Sequence, residues 1–330
     1  MKTWAMMLLA CLGFACAQQQ KDEPKPVSLI FDTDMAPDYD DVGAMAVLHA
    51  LADSGKVNIL ATVSSNKWET SVPCIEVINT YFGRPDIPLG VVKGEGVSQD
   101  TWHKGLKWTE ELPARYPHRV KSASEAEDAV KVYRRVLSQQ PDTSVVVVTV
   151  GFFTNLKNLL LSQADEISPL SGQELVAAKV KKLVSMGGYF PEGKEFNVMM
   201  DAPSSQYVFD HWPTPILLSG FEIGEKIITG KQTAAAEGES PIKEAYAMSL
   251  AQDDPNGRNS WDQSTVLVAV CGTEPWFDVE RGVMAVTPAD SLDHWTPDPN
   301  GKHARLVMKV PVEQVTETIE TLMMHRPAGQ

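Results

Sequence analysis

Short apolar runs alternate along this chain with longer segments whose apolar residues recur three and four positions apart, the pattern of buried strands followed by helices. Val27 to Phe31, Val57 to Ser64, Ser144 to Val150, Lys182 to Met186 and Pro215 to Ser219 form the runs, and Ser144 to Val150 is almost wholly β-branched. Helical spacing follows them: from Val42 through Met45, Ala46 and His49; from Ser71 to Phe82; from Ala123 to Gln139, with a Ser124-x-x-Glu127 capping-box pattern; from Ile242 to Ala251; and up to Val270. A strand from Ala304 to Val310 and an amphipathic helix from Val312 to Met324 close the chain. Strands that are apolar throughout need cover on both faces, so the pattern predicts one large α/β domain over residues 27–330. Periodicity fails between Gly94 and Ser122, where Trp102, His103, Lys104, Trp108, Tyr116 and His118 stand among glycines and prolines. A segment of this length and aromatic content reads as a lid whose rings could stack on a flat ligand.

The first residues bear on where the domain works. Lys2, an apolar stretch from Trp4 to Ala15 and the Ala15-Cys16-Ala17 triplet read as an export signal over residues 1–17, too short to span a bilayer. Cleavage after Ala17 and lipidation at Cys16 both fit these residues. Either leaves the mature chain exported, periplasmic or lipid-anchored to a bacterial envelope. Residues 18–26 are polar, with Pro24 and Pro26, and read as a tether, so the expected membrane contact is through an N-terminal lipid alone. A formal net charge of -14 argues against nucleic acid as a partner. With Cys11 and Cys16 in the signal, Cys74 and Cys271 remain, in apolar helical contexts that suit core positions better than a disulfide.

Candidate chemistry is concentrated where the first apolar run ends. Asp32, Asp34, Asp38, Asp40 and Asp41 fall between that strand and the helix that Val42 continues. Like charges packed this closely raise one another's pKa unless a cation neutralises them. Oxygen ligands at this density suit calcium or magnesium, and open α/β sheets bind ligands at the carboxyl ends of their strands. One or two of the aspartates could simply cap the helix. The loop is not an EF-hand, because Pro37 and Gly43 stand where Gly and Glu are required. Its Asp32-x-Asp34 opening also looks like phosphotransferases that phosphorylate the first Asp, although no convincing Gly-Asp-x-x-x-Asp follows.

The loop resembles the signature of the nucleoside hydrolase family, Asp-x-Asp-Pro-Gly-x-Asp-Asp. Asp32, Asp34, Asp40 and Asp41 take the acidic places, Met35 to Tyr39 makes a longer linker, and Asp38 has no counterpart. Further passages follow in the family's order. Ser65-Asn66 ends the second strand; Gly83-Arg84-Pro85-Asp86-Ile87-Pro88 leads into the third; Gly151-Phe152-Phe153-Thr154-Asn155-Leu156 follows the most β-branched run. Gly187-Gly188 precedes Glu195-Phe196-Asn197, and Trp261-Asp262 stands where the family has His-Asp. The resemblance covers Val27 to Met324 and implies a single-domain, Rossmann-like, open and mostly parallel sheet with helices on both faces.

It also implies calcium-dependent hydrolysis of the N-glycosidic bond of ribonucleosides, in a homodimer or homotetramer. On this resemblance, calcium is held by Asp34, Asp41, Asp262 and the Val150 carbonyl, and Asp34 is the catalytic base. Asp40, Asn66, Glu195 and Asn197 bind the ribose, with Phe196 packed under it. Trp261 takes the place of the histidine that protonates the leaving base, and an indole cannot deliver that proton at neutral pH. It could stack on the base instead, with His103 or Arg258 assisting. Three functions therefore stay open on the sequence: the hydrolase, which the resemblance favours; a nucleoside- or ribose-binding protein without turnover; and a phosphotransferase using Asp32.

Overall fold

The computed structural model describes residues 25–327. The export signal and most of the tether lie outside the described residues. In chain order the strands are β1 (Val27–Thr33), β2 (Val57–Ser64), β3 (Leu89–Val91), β4 (Glu127–Asp128), β5 (Val145–Thr149), β6 (Val180–Met186), β7 (Glu192–Gly193), β8 (Ile216–Ser219), β9 (Ile228–Thr229), β10 (Arg258–Asn259), β11 (Phe277–Thr287), β12 (Leu292–Pro297) and β13 (His303–Met308). One sheet of 11 strands runs β4-β3-β2-β1-β5-β6-β8-β13-β11-β12-β7, while β9 and β10 pair separately. Neighbours from β4 to β13 are parallel. The edge formed by β11, β12 and β7 is antiparallel.

Side chains of β1 alternate between two cores, as strand geometry requires. Leu29 and Phe31 pack with the helices Asp40–Asp53, Ser71–Tyr81 and Trp261–Cys271 on one face. Ile30 packs with Ala129–Ser138, Thr154–Leu161 and Ala202–His211 on the other. The chain moves outward from β1 through β2 to β4 and then returns to the far side of β1 as β5. Loops leaving the adjacent ends of β1 and β5 thus turn to opposite faces and part from each other, which opens a ligand crevice at the strand order's reversal.

Three local departures from the sequence pattern have physical causes. The helix expected from Ala123 starts only at Ala129, where Asp128 accepts from the Val130 N–H at 2.9 Å; Glu127 is drawn instead into an ion pair with Arg135 at 2.6 Å. The stretch between Gly94 and Ser122 holds a helix, Trp108–Arg115, whose Trp108 is fully buried, so most of its aromatic content serves the core. The apolar pattern does not predict strands β11 and β12. β11 alternates buried Met284 and Val286 with half-buried Val283 and exposed Ala285 at the half-solvated antiparallel edge, and its apolar stretch is confined to Val283 to Val286 after the charged Asp278, Glu280 and Arg281. Cys74 and Cys271 are both free.

Candidate active site

β1 ends in Asp32 and Thr33, and Asp34 follows at the start of the loop to the helix Asp40–Asp53. Asp40 and Asp41 occupy that helix's first turn, where the peptide dipoles favour anions. The neighbouring strand ends are tied closely to this loop. Val150 N–H donates to the Asp32 carbonyl at 2.8 Å, and Ser65 N–H donates to the Thr33 carbonyl at 2.8 Å. A Cβ on Gly151 would lie 2.3 Å from the Asp34 nitrogen, so only glycine allows this approach. Ala36 holds φ at 148°, a conformation costly for alanine, in the loop beside Asp34.

The helix Trp261–Cys271 closes the same end of the sheet. Its first two N–H groups, of Trp261 and Asp262, donate to one Asp40 carboxylate oxygen at 3.2 and 3.3 Å. A carboxylate from a distant helix thereby caps this one. The Trp261 indole N–H donates to the Phe221 carbonyl at 2.8 Å, and Gly224 leaves room for the Trp261 backbone. Arg258 lies over the Trp261 ring at 5.1 Å and the Tyr39 ring at 5.4 Å, and donates to Asp38 at 2.5 Å.

Glu195 caps the short helix Phe196–Met200, accepting from Asn197 N–H at 2.9 Å and Val198 N–H at 3.0 Å. Asp293 on β12 accepts from Glu195 N–H at 3.2 Å and so positions this turn. Asn197 donates through its side chain to the Val150 carbonyl at 3.0 Å. These parts enclose a cavity of about 210 Å³. Asp34, Asp40, Asp262 and Val150 form its floor, Glu195 and Asn197 one wall, and Trp102, Phe196, Phe221 and Trp261 the aromatic rim, with Asp38 and Arg258 at one side.

Burial raises the pKa of Asp34, Asp40, Asp41 and Asp262 well above the ordinary carboxylate range, and their mutual repulsion, together with Asp38, raises it further. Burial also pushes Glu195 up to about 7, against the backbone N–H groups that favour its charged form. For Arg258, burial works against the charge, but Asp38, Asp40 and Asp254 outweigh it and hold the guanidinium protonated.

This donor set fits a hard cation. It offers only oxygen, and one buried oxygen of Asp41 has no hydrogen-bond partner while the other accepts from Thr33. Among the described residues no three acidic or imidazole side chains already form a closed cage, so ligation requires the cavity carboxylates to turn toward a common point.

Three sequence candidates sit elsewhere than expected. Asn66 spends its amide on backbone, donating to the Asp34 carbonyl at 2.9 Å and the Gln99 carbonyl at 2.8 Å, and accepting from Trp68 and Gln99; it braces the loop and does not line the cavity. His103 is buried, paired with Asp253, and also off the cavity. Asp32 lies beneath the floor, bonded by Tyr133 at 2.9 Å and Asn155 at 3.2 Å, where no phosphate could reach it. Sequence reading missed Met186, Phe221 and Asp293. The first two end or follow recognisable strands, a usable signal; Asp293 belongs to a strand the pattern did not reveal.

The family model described as inosine-uridine preferring nucleoside hydrolase matches residues 29–317. No curated protein gives a significant sequence match. Among solved structures, the purine-preferring ribonucleoside hydrolase from Gardnerella vaginalis is similar at 19% identity and TM-score 0.66, covering 90% of this chain and 98% of that one. The inosine-uridine preferring nucleoside hydrolase from Bacillus anthracis is similar at 15% identity and TM-score 0.67, covering 90% and 99%. A plant nucleoside hydrolase, PpNRh1, is similar at 18% identity and TM-score 0.66, covering 91% and 99%. These identities bear on the fold, whereas the family match runs through nearly the whole domain with the acidic loop at its start; the chain belongs to the inosine-uridine preferring nucleoside hydrolase family.

Proposed function

We propose that the protein hydrolyses the N-glycosidic bond of ribonucleosides to free base and ribose in a calcium-dependent reaction. One observation carries this reading: four buried carboxylates grouped at one end of the sheet, three of them lining a cavity whose wall presents Glu195 and Asn197. The family is metal-dependent in general. Asp34, Asp41, Asp262 and the Val150 carbonyl would hold the ion. Calcium bound there supplies a lowered pKa for water and an anchor for ribose hydroxyls. Asp34 takes the proton of the attacking water. Asp40, Glu195 and Asn197 hold the ribose, and Asn66 supports the loop beneath. The water oxygen bonds to the anomeric carbon as the bond to the base nitrogen breaks, and the bonding pair leaves with the base. Trp102 and Trp261 offer surfaces suited to a planar base.

A binding protein without turnover is the second reading, favoured by Trp261, whose only donor is committed to the Phe221 carbonyl. Reducing-sugar release from purine and pyrimidine nucleosides, with calcium and with chelator, tests the choice on wild type and Asp34→Ala. Calcium-dependent release lost in the variant supports the hydrolase. Nucleoside binding with no release from any substrate selects the second reading. The signal-like residues 1–17 support export to the periplasm or envelope, and appearance of the processed chain outside the cytoplasm checks it.

A further inference from the structure

Arg258 is the cationic side chain lining the cavity, and it stands beside the residue that replaces the family's proton donor. Its surroundings restrict what it can do. Both Tyr39 and Trp261 lie under the guanidinium, at 5.4 and 5.1 Å. Asp38 accepts from it at 2.5 Å, and oxygens of Asp40 and Asp254 stand 3.6 and 3.7 Å away. Its Nε is buried without an acceptor, a donor left unmatched on a side chain that faces the cavity. The alternatives nearby are spent: the Trp261 indole donates to Phe221 and the Tyr39 hydroxyl donates to Asp254 at 2.7 Å.

The linker that carries Asp38 is what anchors Arg258 here. A guanidinium does not give up its proton at ordinary pH, but it stabilises a charge that develops next to it, and stacking holds it in place without reorganisation.

Building on the hydrolase reading, we infer that Arg258 takes over from the missing acid by electrostatic stabilisation, and that the preferred substrates are N-ribosides whose aglycone departs as an anion. The bond from the anomeric carbon to the leaving nitrogen breaks, the electron pair stays on that nitrogen, and the resulting anion pairs with Arg258. Water supplies the new bond to carbon, its proton passes to Asp34, and the departed aglycone takes a proton from solvent. Asp38 is a positioning residue: it fixes the guanidinium and touches no reacting atom.

The test is a series of ribosides with leaving groups of graded acidity, from p-nitrophenyl β-ribofuranoside through inosine to adenosine, assayed with wild type, Arg258→Gln and Arg258→Lys. Wild type should favour the more acidic leaving groups. Arg258→Gln should lower kcat/KM for poor leaving groups by about 100- to 1000-fold, and for p-nitrophenyl riboside much less, so that the plot against leaving-group pKa steepens. Arg258→Lys should recover part of that loss. Because removing one charge from the cluster could impair folding, the pair Asp38→Asn with Arg258→Gln, which removes one charge of each sign, should show the same steepening. An equal loss for all leaving groups, or none, overturns the role of Arg258 while leaving the hydrolase intact. A wild type that cleaves no riboside at all overturns both.

Discussion

The floor and the rim of the cavity are built in opposite ways. Asp34, Asp40 and Asp262 of the floor, with Asp41 beside them, are nearly inaccessible, their charges destabilised by burial and by one another. Trp102 on the rim is 48% exposed and touches Phe196 edge to face at 5.1 Å. The floor crowds acidic groups whose charged forms destabilise one another; the rim is an adaptable aromatic surface. The floor follows the family's acidic pattern, whereas the rim departs from it at Trp261, with Asp38 and Arg258 beside it. On the proposed function, the floor keeps the family's acidic pattern for metal and sugar, and the departures fall on the side that would meet the leaving group.

The strongest way to break this contrast is to disable the floor. On the proposed ligand set, Asp41→Asn should weaken calcium binding by on the order of 100-fold or more, since it would remove a ligand and not merely an outer partner. Calorimetric titration with calcium, and loss of the calcium-induced rise in melting temperature, would report this without any assay of turnover. Unchanged calcium affinity would remove Asp41 from the ligand set.

A subtler experiment asks whether burial alone can perturb a carboxylate just below the floor. Asp32 is pushed up from 3.8 to about 8, chiefly by burial, opposed by bonds from Tyr133 and Asn155. A raised folded-state pKa means that the native protein binds the proton more tightly than the unfolded chain does. The associated stability is present in full below about pH 4 and is lost as pH rises through about 8. Asp32→Asn copies the neutral side chain and should therefore gain stability relative to wild type across that interval, on the order of 5 kcal/mol at its upper end. Parallel melting curves of the two proteins from pH 4 to 9 would show a gap widening with pH. A constant gap would mean that Asp32 stays ionised.

The smallest effect belongs to the rim. Trp102→Ala should raise KM for a nucleoside by about 3- to 10-fold, the worth of one exposed aromatic contact, and leave calcium affinity unchanged. A large loss of calcium binding would show that floor and rim are not independent.

Local signals account for what could be read without the structure. An apolar β-branched run is buried wherever it goes, and a cluster of aspartates directly after one marks the carboxyl end of a strand in a sheet of this class. β1, β5 and the acidic loop are legible for that reason, whereas the Glu195-Phe196-Asn197 turn stands out only through its resemblance to a family passage. Local signals do not place Asn66, His103 or most of the aromatic residues between Gly94 and Ser122, because a polar or aromatic side chain in a loop looks the same whether it faces a ligand or satisfies buried backbone. Asn66 does the latter, with all its amide capacity given to the loop.

By itself, then, the sequence determined an α/β domain, the order of its parallel strands' segments and an acidic cluster at the end of the first of them, since each depends on residues close together in the chain. Tertiary structure alone decided which distant groups meet. Asp40 caps the helix that carries Asp262, Asp293 on an unforeseen edge strand holds Glu195, and Arg258 reaches across to Asp38. Those pairings depend on strand order and helix packing, which bring together side chains with no local signature of their partnership.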